Sequence, residues 1–216
     1  MTERRFPYPL DPSRTALINV HWQEDIVTPT GAFAPFFAES VARHHIIDTT
    51  RILLDGVRSA GAHVIWTRAA FAPGYPELIL NTALNRAIAD MGALVEGSHG
   101  ARIIPDLEPL PTEAIISHPG TSAFSTSPLD SILRRHRIDT VLFTGVATNV
   151  TVEGTARDAV NLGYNTIIVT DACAAATDAA HQATLDTFEL LGHCATTDEV
   201  LHNLTESEPQ TVGAPA

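Results

Sequence analysis

Short runs of apolar residues alternate along this chain with longer stretches in which apolar positions recur every three or four residues. Residues 15–20, 63–67, 113–117, 140–145 and 165–170 are apolar almost throughout. Runs of this length, rich in β-branched residues, predict strands. Strands without polar alternation must be covered on both faces. Between the first two runs, Val41, Ile46, Ile47, Leu53, Leu54 and Val57 keep helical spacing, which predicts one helix over 36–59 that Gly61 ends. Further helices are predicted near 77–88, over 128–136 with Pro128 at the start, over 149–162 closed by Gly163, and over 178–191 stopped by Gly192. A short sixth strand covers 193–196. Strands alternating with helices specify parallel pairing through right-handed crossovers. The expected fold is a three-layer, doubly wound α/β domain with a mostly parallel sheet of about six strands, the first and fourth adjacent at the switch point. One domain spans 1–216, with its core at about 15–201 and a polar tail at about 205–216.

In sheets of this kind ligands bind beyond the carboxyl ends of the strands. Three segments therefore become candidates for chemistry. The first is His21-Trp22-Gln23-Glu24-Asp25. The second is His118-Pro119-Gly120-Thr121-Ser122-Ala123-Phe124. The third runs from Gly145-Val146-Ala147-Thr148-Asn149-Val150-Thr151 into a helix.

Composition narrows the partners. The formal net charge of -12 argues against nucleic acid and against an anionic membrane surface. No apolar run reaches membrane-spanning length, and the first residues lack an apolar signal-like stretch. The expectation is a cytoplasmic protein with a small-molecule substrate. Its two cysteines, Cys173 and Cys194, have no metal-type spacing. All 13 basic residues are arginine, so any mechanism that needs lysine is excluded.

Four motifs carry a resemblance: Gln23 to Asp25, Ser122-Ala123-Phe124, the run GVATNVTVEGTARDA ending at Ala159, and Thr170-Asp171-Ala172. From about Thr15 to Leu201 the chain resembles the isochorismatase-like superfamily, or cysteine hydrolases. That resemblance implies a small-molecule hydrolase, a homo-oligomer (dimer or tetramer) and a cis Val146–Ala147 peptide. The apolar stretch at 31–37 is a candidate for the subunit interface. The family usually works with an aspartate, a lysine and a cysteine. Aligned on these motifs, the three positions hold His21, His118 and Thr151.

The substitutions change the chemistry. Threonine is far more basic than a thiol and needs a general base within reach. Histidine titrates near neutrality and can serve as base or acid. Three readings stay open: Thr151 attacks a carbonyl after deprotonation by His21 or His118; the histidines do acid–base chemistry on substrate or water without a covalent step; or the site binds a ligand without catalysis. The second leads, because the isochorismatase branch hydrolyses an enol ether without a thiol. Trp22, Gln23, Arg68, Val146, Ala147 and Asn149 are the expected substrate-binding residues, with Phe33, Phe36, Phe37 and Phe71 as further pocket candidates. No cofactor is implied, and no metal is expected. Beyond two histidines only Asp25 or Glu24 offers a third ligand, and the stretch WTRAAFAPGYP after the second strand lacks the Asp and His ligands some relatives carry there.

Overall fold

The computed structural model describes Phe6 and residues 10–205. The tail expected beyond residue 205 lies outside the described residues. Six strands form one all-parallel sheet in the order β3-β2-β1-β4-β5-β6. They are β1 (Thr15–Val20), β2 (His63–Arg68), β3 (Ala114–Ser117), β4 (Thr140–Val146), β5 (Asn165–Ala174) and β6 (His193–Ala195). The first and fourth strands pair from Thr15↔Thr140 to Val20↔Gly145, so the switch point falls between them as expected.

Among the described residues, eight α-helices surround the sheet: α1 (Glu24–Val27), α2 (Ala34–Arg43), α3 (Ile46–Ser59), α4 (Ala83–Met91), α5 (Leu129–Arg135), α6 (Glu153–Asn161), α7 (Asp178–Phe188) and α8 (Thr197–Thr205). Leu53, Leu54 and Val57 of α3 and Val200 and Leu204 of α8 join one core with Leu17 and Trp66. On the opposite face, Leu133, Ala156, Ala159 and Phe188 pack on Ile18, Val141 and Phe143. Alternate residues of β1 thus feed two separate cores. This is why the strand is buried at every position.

Three elements differ from the sequence expectation. The helix expected over 36–59 is two helices, because His45 adopts a left-handed conformation (φ 51°) between α2 and α3. The fifth strand does not stop at Thr170. It slips register opposite β4 between Phe143 and Gly145 and continues to Ala174. Asp171 stays within this strand and accepts hydrogen bonds from the Thr197 amide (2.8 Å) and hydroxyl (3.0 Å), which anchors the start of α8. Finally, the helix expected from 149 opens as a π-turn, Thr148–Val152, ahead of α6.

Gly145 makes the switch point possible. Its φ is 129°, and a Cβ there would overlap the Val20 carbonyl. Only glycine lets β4 approach the end of β1 this closely. The next peptide, Val146–Ala147, is cis, as the resemblance implied.

Candidate active site

The ends of three neighbouring strands build the site. The His21 amide donates to the Thr67 carbonyl (2.9 Å) and the His118 amide to the Arg68 carbonyl (3.0 Å). Both acceptors lie on β2, so the residues following β1 and β3 meet across its end. The two imidazoles stack, with centroids 4.9 Å apart and planes 25° from parallel. Their Nε2 atoms are 3.1 Å apart. His21 itself has a left-handed backbone (φ 57°), rare for a non-glycine residue and common where a side chain must be aimed.

One hydrogen bond sets the tautomers of the pair. His118 Nδ1 lies 2.9 Å from the Gly120 carbonyl. A carbonyl only accepts, so Nδ1 carries the proton and His118 Nε2 offers a lone pair. His21 Nε2–H donates to that lone pair, leaving the lone pair of His21 on Nδ1. Burial keeps both rings neutral. It lowers His118 to about 4, partly opposed by the Gly120 hydrogen bond. It also lowers His21 well below the usual histidine value, with the neighbouring His118 adding to the shift.

His21 and Thr151 both line a cavity of about 360 Å³, together with Val146, Ala147, Val150 and the Pro119–Gly120–Thr121 segment. His118 is not in its wall; at 1 % exposed it sits behind His21. The α6 end is anchored from α7. Thr148 Oγ1 lies 2.8 Å from His181 Nδ1, and Thr184 donates to Glu153 (3.0 Å). The Val150 and Val152 amides donate to the Ala147 carbonyl (3.1 and 3.2 Å). Those two amides are committed, so they favour a negative charge in the cavity through the field of the turn and helix, not by direct hydrogen bonds.

Four of the expected substrate-binding residues do not reach the cavity. Trp22 is fully buried in the core. Gln23 donates to the Ala69 and Ala101 carbonyls (2.7 and 3.0 Å) and accepts from the Ala69 amide (2.8 Å), tying two loops together. Arg68 chelates Glu96 (2.9 and 2.7 Å) and reaches Ser117 (3.0 Å). Asn149 points to solvent. Polar side chains that hold loops and polar side chains that hold substrate look alike in sequence; here the loops took them.

The expected aromatics do better. Phe33, Phe36, Phe37 and Phe71 all line the cavity. The far wall, however, comes from Ala83, Leu84, Ala87 and Ile88 of α4, which no motif marked. The apolar spacing of that helix was the one signal for it. Asp25 stabilises this side by accepting from the Leu94 amide (2.8 Å). Arg157 pairs with Glu153 (2.7 Å), and Asp158 accepts from Ser122 (2.6 Å). Both are structural.

Cys173 and Cys194 are buried, each with its sulfur 3.7 Å from a backbone carbonyl, of Phe143 and Leu185 respectively. Burial pushes the Cys173 thiol up, away from the thiolate form. Neither lines the cavity with His21. Among the described residues, no group of three or more His, Cys, Asp or Glu side chains is placed to hold a metal ion. No helix among them is long and apolar enough to cross a membrane.

A parallel sheet in this order, with a cavity at the switch point, is an α/β scaffold that binds a small molecule beyond its strand ends. Residues 15–199 match the isochorismatase domain. The chain belongs to the isochorismatase family. It is 31% identical over 196 residues to ureidoacrylate amidohydrolase RutB of Methylobacterium radiotolerans, covering 85% of this chain and 76% of that protein. Among solved structures, a cysteine hydrolase from Pseudomonas syringae pv. phaseolicola superposes with a TM-score of 0.84 at 28% identity, over 95% of this chain and 99% of that one. N-carbamoylsarcosine amidase from Thermoplasma acidophilum shares the fold, with a TM-score of 0.70 at 24% identity over 86% and 97% of the two chains.

Proposed function

We propose that this chain hydrolyses a small metabolite bearing an amide, another carbonyl or an enol-ether group, with His21 as the proton-transferring residue and no covalent intermediate on Thr151. The observation that carries the proposal is the His21–His118 pair, oriented by Gly120 and presenting His21 at the cavity wall. The amidohydrolase name of the 31% identical relative supports the amide class.

The steps follow from the tautomers. For an acyl substrate, neutral His21 accepts a proton from water at Nδ1 as the water oxygen bonds to the carbonyl carbon, and it returns that proton to the leaving nitrogen or oxygen as the bond from that atom to the carbon breaks. The imidazolium formed between these two transfers still donates through Nε2–H to His118, whose own Nδ1–H leans on the Gly120 carbonyl. His118 is therefore a positioning residue, and its acceptor atom spreads the charge that His21 acquires. Thr151 orients substrate or water through its hydroxyl, and the positive end of the α6 turn favours the developing oxyanion. Threonine is a poor nucleophile here because its hydroxyl pKa is high, its Cβ is branched, and no lysine is present to stabilise the anion.

The test is a screen of amides and enol ethers with product detection by mass spectrometry, followed by variants on any substrate found. His21→Ala should lose ~100-fold or more, the scale of a general base. Thr151→Ala should lose ~10-fold to 100-fold, the scale of one orienting hydrogen bond. An acyl adduct on Thr151 in intact-protein mass spectra would overturn the non-covalent step. Unchanged turnover in both His21→Ala and His118→Ala would overturn the site assignment. A ligand that binds this cavity and is never turned over would make the chain a non-catalytic ligand-binding member of the family.

A further inference from the structure

The cavity beside His21 is asymmetric in chemistry. Polar residues are few: His21, Thr151 and the Gly120–Thr121 segment at its base, and Asn85 on α4. The rest of the wall is hydrocarbon: Phe33, Phe36 and Phe37 from the start of α2 and the loop before it, facing Leu84 and Ile88 of α4. The mouth is apolar as well, since Phe36 is 55 % and Leu84 39 % exposed.

Charge is missing from this wall. Among the described lining residues, His21 is the only titratable side chain, and burial holds it neutral. Charged residues next to lining residues in sequence are already engaged: Arg86 donates to the Leu80 carbonyl (2.7 Å). Arg68 is clamped by both oxygens of Glu96. Asp25 accepts from the Leu94 and Ala32 amides (2.8 and 3.4 Å). Asn85, which also lines the cavity, donates its side-chain amide to the Ile79 carbonyl (2.7 Å). An ionised substrate group entering this slot would lose its hydration and meet no counter-charge.

Building on the site assigned above, we propose that its ligand is an uncharged molecule with a hydrocarbon body, alkyl or aryl, seated between Phe36–Phe37 and Leu84–Ile88, and a single polar head at His21 and Thr151. A volume of about 360 Å³ accommodates a body of one ring with a short chain. Phe36 and Leu84 are the residues that select for it.

The test is direct binding, independent of turnover. The full chain is titrated calorimetrically at pH 7.5 with 3-phenylpropanamide, 3-phenylpropanoate, 3-phenylpropylammonium and succinamide. The neutral aryl amide should bind at least ~10-fold more tightly than each of the two ions and than the neutral polar diamide. Phe36→Ser and Leu84→Ser should each weaken it ~5-fold or more, with melting temperatures near that of the parent because both side chains are partly exposed. Equal or tighter binding of the carboxylate or ammonium compound would overturn the inference. So would binding that both variants leave unchanged, or no binding of any of the four. Binding of 3-phenylpropanamide without its hydrolysis leaves this inference standing and counts against the hydrolytic proposal.

Discussion

His118 shows what a buried imidazole does to the whole chain's response to pH. In the unfolded chain a histidine titrates near 6.5, whereas folding lowers His118 to about 4. Between those values the unfolded chain binds the extra proton. Its contribution to stability is therefore complete above pH 6.5 and is lost as pH falls toward 4, by about 2–3 kcal/mol at pH 4.5. Urea midpoints measured at pH 7 and 4.5 should show a larger acid loss for the parent than for His118→Gln; equal losses would refute the linkage. His21 is lowered in the same direction. Once a substrate is known, turnover should stay flat from pH 8 to 6.5 and decline only in more acidic solution, as a pH–rate profile would show. At this scale the sequence was half informative. The strand-end rule picked out His21 and Thr151, and both line the cavity. It also picked Gln23, and the end of the second strand offered Arg68; their hydrogen bonds turned inward to loops and to Glu96. Nothing in residue type separates those two outcomes, because the deciding partners, Ala101 and Glu96, come from a long connection without a motif.

Among the elements, strands were the most legible, since a short apolar run flanked by turn residues fits little except the middle of a covered sheet. The break between α2 and α3 was hidden because apolar periodicity continues through it, and only the backbone of His45 interrupts the helix. That position is exposed and left-handed, so His45→Gly should raise stability by ~0.5–1 kcal/mol and His45→Val should lower it by ~1 kcal/mol or more. Thermal melts of the two variants decide the point. The extension of β5 to Ala174 was hidden for another reason: Thr170 and Asp171 look like a strand end, yet their polar atoms are satisfied within the fold, Asp171 by the start of α8. The switch point makes a harsher prediction. Gly145→Ala must push β4 off the Val20 carbonyl, and should cost ~2–3 kcal/mol or more in chemical denaturation. Denaturation curves indistinguishable from the parent's would show that β1 and β4 part more easily than their register suggests.

Over the whole molecule, Trp22 and Trp66 are buried in the same core, on the face covered by α3 and α8. Tryptophan fluorescence therefore reports the joining of distant parts of the chain. Its recovery after dilution from denaturant should take about a second or longer, as expected for a parallel sheet dominated by long-range pairing. Stopped-flow traces complete within a few milliseconds would contradict this. The cause lies in where β1 sits. It precedes the other five strands along the chain, yet it occupies the middle of the sheet, and the Arg14–Asp139 ion pair at its base joins residues 125 positions apart. A ribosome making this chain releases a strand that is apolar on both faces and has one edge open until residues 140–146 emerge. Over that interval the nascent protein thus carries a bare template for stray strand pairing, and a molecular chaperone that covers apolar segments would have its natural target in residues 15–20.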